Sequence, residues 1–279
     1  MSKVIVCSDQ HLGYVNSKAE DFRNFLDYVA NRNDIETLVI LGDLVDMWRR
    51  DVSGLFLEYS GFIDRFLKIR KGGAKVYIIS GNHDYHLLRL QTPSYQFEFS
   101  RDLVLPSGKE GLTYVFKHGW EFDFAQQPLI MEALCHNMSD EAGDARSRIY
   151  NTLMIIKDHI SDLINFHGGN EGYVKHLMTP PETRLKPYLT SVEAKACASR
   201  DNNNNILIFG HTHRPFVSDD KRVINTGSWI SEPRSNYIFN TFAELDGEHV
   251  SLMRFVDDNT SPEDITSKET YPCPPKDKI

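Results

Sequence analysis

The sequence predicts an α/β protein whose strands end in polar and titratable side chains. Three observations carry that expectation. Apolar runs of strand length alternate with amphipathic helical stretches from Lys3 to Lys117. One run, Thr37 to Leu41, is unbroken apolar or β-branched, as suits a strand covered on both faces. Finally, the strand-like runs end in Asp9 and His11, in Asp43, in Asn82 and His83, in His118, and in His211 and His213. In open α/β sheets the carboxyl ends of strands are where ligands bind.

The elements follow in order. Lys3 to Ser8 reads as a strand opening into Asp9-Gln-His11. Ser17 and Glu20 are spaced as a capping box for a helix whose apolar face is Phe22, Phe25, Leu26 and Val29. After Leu41, Gly42 permits a sharp turn that projects Asp43, and Trp48-Arg-Arg-Asp51 leads into a second helix striped by Leu55, Tyr59, Phe62, Phe66 and Ile69. Lys75 to Ser80 is a third strand, ending in Gly81-Asn-His-Asp84; Leu112 to Lys117 is a fourth, ending in His118-Gly119. Between Trp120 and Asn205 the β-α rhythm breaks, and the spacing of Ile149, Leu153, Ile156, Ile160 and Leu163 predicts a helix inside an inserted cap. Thr190 and Glu193 suggest another capping box. Ile206 to Phe209 returns to the sheet and delivers Gly210-His-Thr-His213. Arg222 to Thr226, Tyr237 to Leu245 and His249 to Val256 read as antiparallel strands of a second sheet, with Asp246-Gly247 as a hairpin turn. The domain organisation predicted is a catalytic domain of residues 1–119 and 206–256, a helical cap of residues 120–205, and a disordered tail of residues 257–279.

Composition narrows the function. With 279 residues, 41% hydrophobic and 25% charged, the chain has enough apolar material for a sizeable core. No apolar run approaches the roughly 18 residues of a membrane span, and Met1-Ser-Lys enters a strand directly, so a cytoplasmic protein is expected, with at most peripheral membrane contact. Cys7, Cys135, Cys197 and Cys273 lack short spacings and are expected to be reduced. A net charge of −8 disfavours broad nucleic-acid binding but not a small phosphate ester.

A single Asp or His after a strand is usually a turn former, and Asp9-Gln-His11 or Gly-Asn-His-Asp alone would carry little. The pair in Gly-His-Thr-His is rarer. Together, oxygen ligands from Asp9, Asp43 and Asn82 with imidazoles from His11, His118, His211 and His213 suit manganese, iron or zinc rather than calcium.

In this set and order, the sequence resembles the calcineurin-like metallophosphoesterases over about residues 3 to 256. The resemblance implies two mixed β-sheets packed face to face with helices outside. It also implies two divalent ions, manganese foremost: one held by Asp9, His11, Asp43 and His213, the other by Asp43, Asn82, His118 and His211. The reaction implied is hydrolysis of a phosphodiester or pyrophosphate by direct attack of a bridging hydroxide, since two cations grip the phosphate and activate water. His83 would then serve the leaving oxygen and Asp84 orient its ring. Trp48, Arg49 and Arg50 form either an exposed loop clasp or a substrate contact, arginine being suited to phosphate.

Gly-Asp-Leu-Val-Asp-Met-Trp at 42–48 and Gly-His-Thr-His-Arg-Pro at 210–215 look like the UDP-2,3-diacylglucosamine hydrolases, which cleave a nucleotide-lipid pyrophosphate. That branch usually has arginine in place of His83 and an acidic residue in place of Trp120. In the lipid reading, Lys175, Arg184 or Lys186 of the cap meets a second phosphate; in the plain reading the cap's apolar excess is its own core. The alternatives are a nuclease or cyclic-nucleotide phosphodiesterase and, in another class, a non-enzymatic metal-dependent scaffold.

Overall fold

The computed structural model describes residues 3–91, 96–123, 135, 191–199, 204–231, 237–257 and 261–271. Strand β1 (Lys3–Cys7), helix α1 (Ala19–Ala30) and strand β2 (Ile35–Leu41) come first. Helices α2 (Val52–Tyr59) and α3 (Gly61–Lys71) follow, then β3 (Lys75–Ile79) and a 3-10 turn (Tyr85–Leu90). Next are β4 (Glu98–Ser100), β5 (Asp102–Pro106), β6 (Thr113–Lys117) and the one-turn helix α4 (Trp120–Asp123). Residues 191–199 form a helix, α5. The chain continues through β7 (Asn205–Phe209), β8 (Phe216–Ser218), β9 (Val223–Asn225), β10 (Thr241–Asp246), β11 (His249–Arg254), β12 (Glu263–Asp264) and β13 (Thr270–Tyr271).

The strands form two sheets, ordered β12-β11-β10-β1-β2-β3-β4 and β13-β8-β9-β7-β6-β5. Alternation along the strands explains how they stack. In β1 and β2, Val4, Val6, Val39 and Leu41 face the second sheet, meeting Tyr114, Phe116, Ile206 and Ile208. Ile5, Cys7, Leu38 and Ile40 face the other way, onto Phe22, Phe25, Phe62 and Phe66 of α1 and α3. On the outer face of the second sheet, Leu207 and Phe209 meet Val192, Ala196 and Cys197 of α5. Both sheets are mixed, with helices outside, and the double-faced burial of β2 is as its apolar run requires.

Several expectations need correction. The hairpin β10-β11 forms at Gly247, but it extends the first sheet through antiparallel pairing of β10 with β1. The second sheet is built instead on β6 and β7, which are adjacent and parallel. The segment after Asp257 is partly structured: β12 pairs with β11, and Ile265 is buried in the intersheet core. Helix α1 starts after Lys18 without a side-chain cap, because the Ser17 hydroxyl donates to Gln10 O at 2.7 Å. The single long second helix is divided at Ser60. Cys7 and Cys135 are free thiols, whereas Cys197 is disulfide-bonded, since separation in sequence does not report distance in space. The helix expected over Ile149–Leu163 and the basic residues Lys175, Arg184 and Lys186 lie outside the described residues. No described helix is long and apolar enough to cross a membrane.

Candidate metal centre

The β1-β2 ladder does not stop where the strands end. Asp9 N donates to Gly42 O at 3.0 Å, His11 N to Asp43 O at 2.8 Å, and Leu12 N to Leu44 O at 2.9 Å, which lays the two ligand loops side by side. Asp9, His11, Asp43, His211 and His213 all have positive φ, from 46° to 67°, a conformation that non-glycine residues adopt at a cost. Two glycines make room for them. A Cβ at Gly42, where φ is +85°, would lie 2.3 Å from His118 Nδ1, and one at Gly81 would lie 2.1 Å from Asp43 Oδ1.

Each carboxylate holds one oxygen by a backbone N–H and leaves the other turned inward. Asp9 Oδ2 accepts from His211 N at 2.9 Å, and Asp43 Oδ1 accepts from His83 N at 2.8 Å. Three imidazole nitrogens converge on the remaining oxygens. His11 Nε2 and His118 Nε2 stand 3.4 and 3.2 Å from Asp43 Oδ2, and His213 Nε2 stands 3.2 Å from Asp9 Oδ1. Their outer nitrogens set the tautomers: His118 Nδ1 donates to Leu41 O at 2.8 Å and His11 Nδ1 to Asp46 Oδ2 at 3.2 Å, so Nε2 faces the centre in both.

This arrangement calls for cations. His11 Nε2 and His213 Nε2 are only 3.3 Å apart. Asp9 Oδ1, Asn82 Oδ1 and His118 Nε2 are buried without a hydrogen bond of good geometry, although the first and third have oppositely charged neighbours. Burial alone would depress the His118 imidazole, but the charges of Asp43 and Asp9 lift it to about 10. Burial would raise Asp43 and Asp9, yet the facing histidines hold both below the usual carboxylate range. Asp9, His11 and His213, and likewise Asp9, Asp43 and His118, bring one ligand atom each within 4.8 Å of one another.

His211 stays outside those groups: its Nε2 faces Asp123 Oδ2 at 3.3 Å, while its ring lies against His118. Asp84 does not orient His83, contrary to expectation. Its carboxylate accepts from Gly81 N and Leu44 N, each at 2.7 Å, and pins the two loops together. Burial and the Asp43 charge push it up to about 7 despite those donors. The ring of His83 is held by Asp46, whose Oδ1 accepts from Nδ1 at 3.0 Å. Asp46, wholly buried, thus carries His11 on one oxygen and His83 on the other. The sequence motif Gly42-Asp43 includes Asp46 three residues on, but the sequence assigned it no role. Burial would raise Asp46, but the two histidines drive it far below the usual carboxylate range.

Trp48 is not an exposed clasp: it is 2% exposed and stacks on His83, with centroids 4.0 Å apart. Arg49 pairs with Asp46 and lies over the Tyr14 ring at 4.6 Å, which puts a half-exposed guanidinium at the rim. Arg50 turns away to Glu58 at 2.6 Å and is the loop clasp.

A family model described as calcineurin-like phosphoesterase matches residues 2–215. No curated protein matches the chain. Among solved structures, the phosphoesterase Yfce from E. coli is similar at 15% identity, over 93% of this chain and 96% of its own, with a TM-score of 0.45. A cold-active protein-tyrosine phosphatase of a Shewanella species aligns at 16% identity, over 95% and 81%, with a TM-score of 0.35. A Pseudomonas putida nuclease, MPE, aligns at 15% identity, over 88% and 84%, with a TM-score of 0.33.

Proposed function

The chain belongs to the calcineurin-like phosphoesterase family, and on that premise we propose a two-metal hydrolase of phosphodiester or pyrophosphate bonds. The observation that carries the reading is the convergence of three Nε2 atoms, from His11, His118 and His213, on Asp9 Oδ1 and Asp43 Oδ2. Asp9, His11, Asp43 and His213 would hold one ion, and Asp43, Asn82, His118 and His211 the other, with manganese the first candidate and iron or zinc the alternatives. Bound there, the ions neutralise the phosphate and supply a water-derived nucleophile at neutral pH.

The chain's own side chains do the rest. Asp43 would be a ligand shared by both ions, and its other oxygen, Oδ1, is locked on His83 N. His83 is the acid: its Nδ1–H is held by Asp46 and its face by Trp48, so Nε2 is the atom that gives a proton to the leaving oxygen. Arg49, at the rim on Asp46, is the phosphate contact. The finer substrate we propose is a nucleotide-lipid pyrophosphate, supported by the runs at 42–48 and 210–215, with residues 120–205 as the cap that receives it.

The test is a screen of chelator-stripped protein against bis-nitrophenyl phosphate, phosphomonoesters and nucleotide pyrophosphates, with manganese, iron, zinc or magnesium restored singly. Manganese-dependent turnover of diesters or pyrophosphates, above that of monoesters, is expected. Turnover indifferent to metal, or restricted to monoesters, refutes the reading.

A further inference from the structure

His211 differs from the other candidate ligands in having a carboxylate on a ring nitrogen from an element outside the motifs. Its backbone is already fixed from three directions. His211 N donates to Asp9 Oδ2 at 2.9 Å. Asn225 Nδ2 donates to Gly210 O and to Thr212 Oγ1, each at 2.9 Å. The Thr212 hydroxyl in turn donates to Glu193 Oε1 at 3.1 Å, a wholly buried carboxylate of α5 whose other oxygen faces Arg214 at 3.3 Å. With the turn so clamped, rotation of the imidazole is the freedom left to His211. Asp123, at the end of α4 with its side chain 5% exposed, stands against Nε2 at 3.3 Å.

The geometry points to Asp123 as a positioning residue: it accepts the Nε2–H of His211, fixes the ring, and leaves Nδ1 as the nitrogen offered to the second ion. A histidine that ligates through one nitrogen commonly donates the other to a carboxylate, which sets the tautomer and raises ligand basicity. The competing account is that Asp123 is a placeholder which surrenders Nε2 when an ion arrives. The two make opposite predictions, because removing a support weakens binding and removing a competitor strengthens it.

This inference rests on the two-ion reading, and titrating chelator-stripped protein with Mn2+ by calorimetry separates the two. Failure of wild-type protein to bind two ions refutes that reading itself. Given two ions in wild type, Asp123→Ala is expected to weaken one of them roughly 10- to 100-fold and leave the other within about threefold. Asp123→Asn, whose Oδ1 still accepts from Nε2–H, should restore most of the loss. Unchanged or tighter binding in Asp123→Ala overturns the inference, as does equal weakening of both ions with a lower Tm of the metal-free protein, the mark of a merely structural role. A measurement without any variant stands behind these. Long-range 1H–15N spectra of zinc-loaded wild-type protein should show His211 as the Nε2–H tautomer, and a proton on Nδ1 would overturn the assignment.

Discussion

Asp46→Asn is the substitution that bears hardest on the site, because one buried carboxylate serves two imidazoles. Its oxygens accept from His11 Nδ1 at 3.2 Å and from His83 Nδ1 at 3.0 Å. An asparagine has one oxygen to accept with, and its amide would donate to the other ring. That ring must then move its proton to Nε2. If His11 is the one that changes, an N–H points at Asp43 Oδ2, 3.4 Å away, where a lone pair is needed. If His83 changes, it loses the carboxylate that holds its Nδ1 at 3.0 Å. A hydrogen bond to a charged group contributes about 1.5–3 kcal/mol. Losing one and weakening the other amounts to roughly 2–5 kcal/mol, or about 30-fold to several thousandfold in rate or affinity at about 1.4 kcal/mol per tenfold. The assay is metal content and affinity by calorimetry, alongside kcat on bis-nitrophenyl phosphate and on an unactivated diester. Loss of one ion assigns the change to His11; full metal with a loss concentrated on the poor leaving group assigns it to His83. Two ions at wild-type affinity and kcat within about threefold on both substrates would refute the reasoning.

Asp43→Asn should abolish binding of both ions while the chain stays folded, read by metal analysis and circular dichroism; two retained ions would sink the shared-ligand role. His83→Ala should lower turnover roughly a hundredfold or more on poor leaving groups and far less on nitrophenyl esters, whereas equal losses would place His83 in phosphate binding. Because His118 is raised from 6.5 to about 10 in the metal-free protein, its stabilising contribution is complete below about 6.5 and is lost as pH climbs through 10. Metal-free Tm should therefore fall over that window, and metal binding at pH 8 should release a proton, seen by calorimetry in buffers of different ionisation enthalpy. Arg49→Ala should raise KM several-fold with little change in kcat, and Arg50→Ala should alter neither, the pair's identical responses being the disproof.

The parts of the fold that were legible are those governed by local periodicity. Thr37–Leu41, Lys75–Ile79 and Ile206–Phe209 announce strands because each buries both faces, and Phe22, Phe25, Leu26 and Val29 announce α1 because their spacing is helical. Short or half-exposed strands were not legible. β5 alternates between exposed and half-buried positions, and β8 has three residues, so neither makes a run long enough to stand out.

What the sequence offered by itself is a roster of candidate ligands: Asp9, His11, Asp43, Asn82, His118, His211 and His213 each follow a strand-like run, and the carboxyl ends of strands are where ligands bind in α/β sheets; the structure divides those strands between the two sheets. Only the tertiary structure decided who holds these candidate ligands in place. Asp46 on His11 and His83, Asp84 on the loop backbones, Trp48 on the His83 ring and Asp123 on His211 are contacts across the sheets and between loops. Such pairings depend on which strands become neighbours, and β10 and β11, which join β1 rather than a second sheet, show that local pattern leaves that choice open. Periodicity along a chain reports which face of an element is buried; the partner on that face is set by packing between segments distant in sequence.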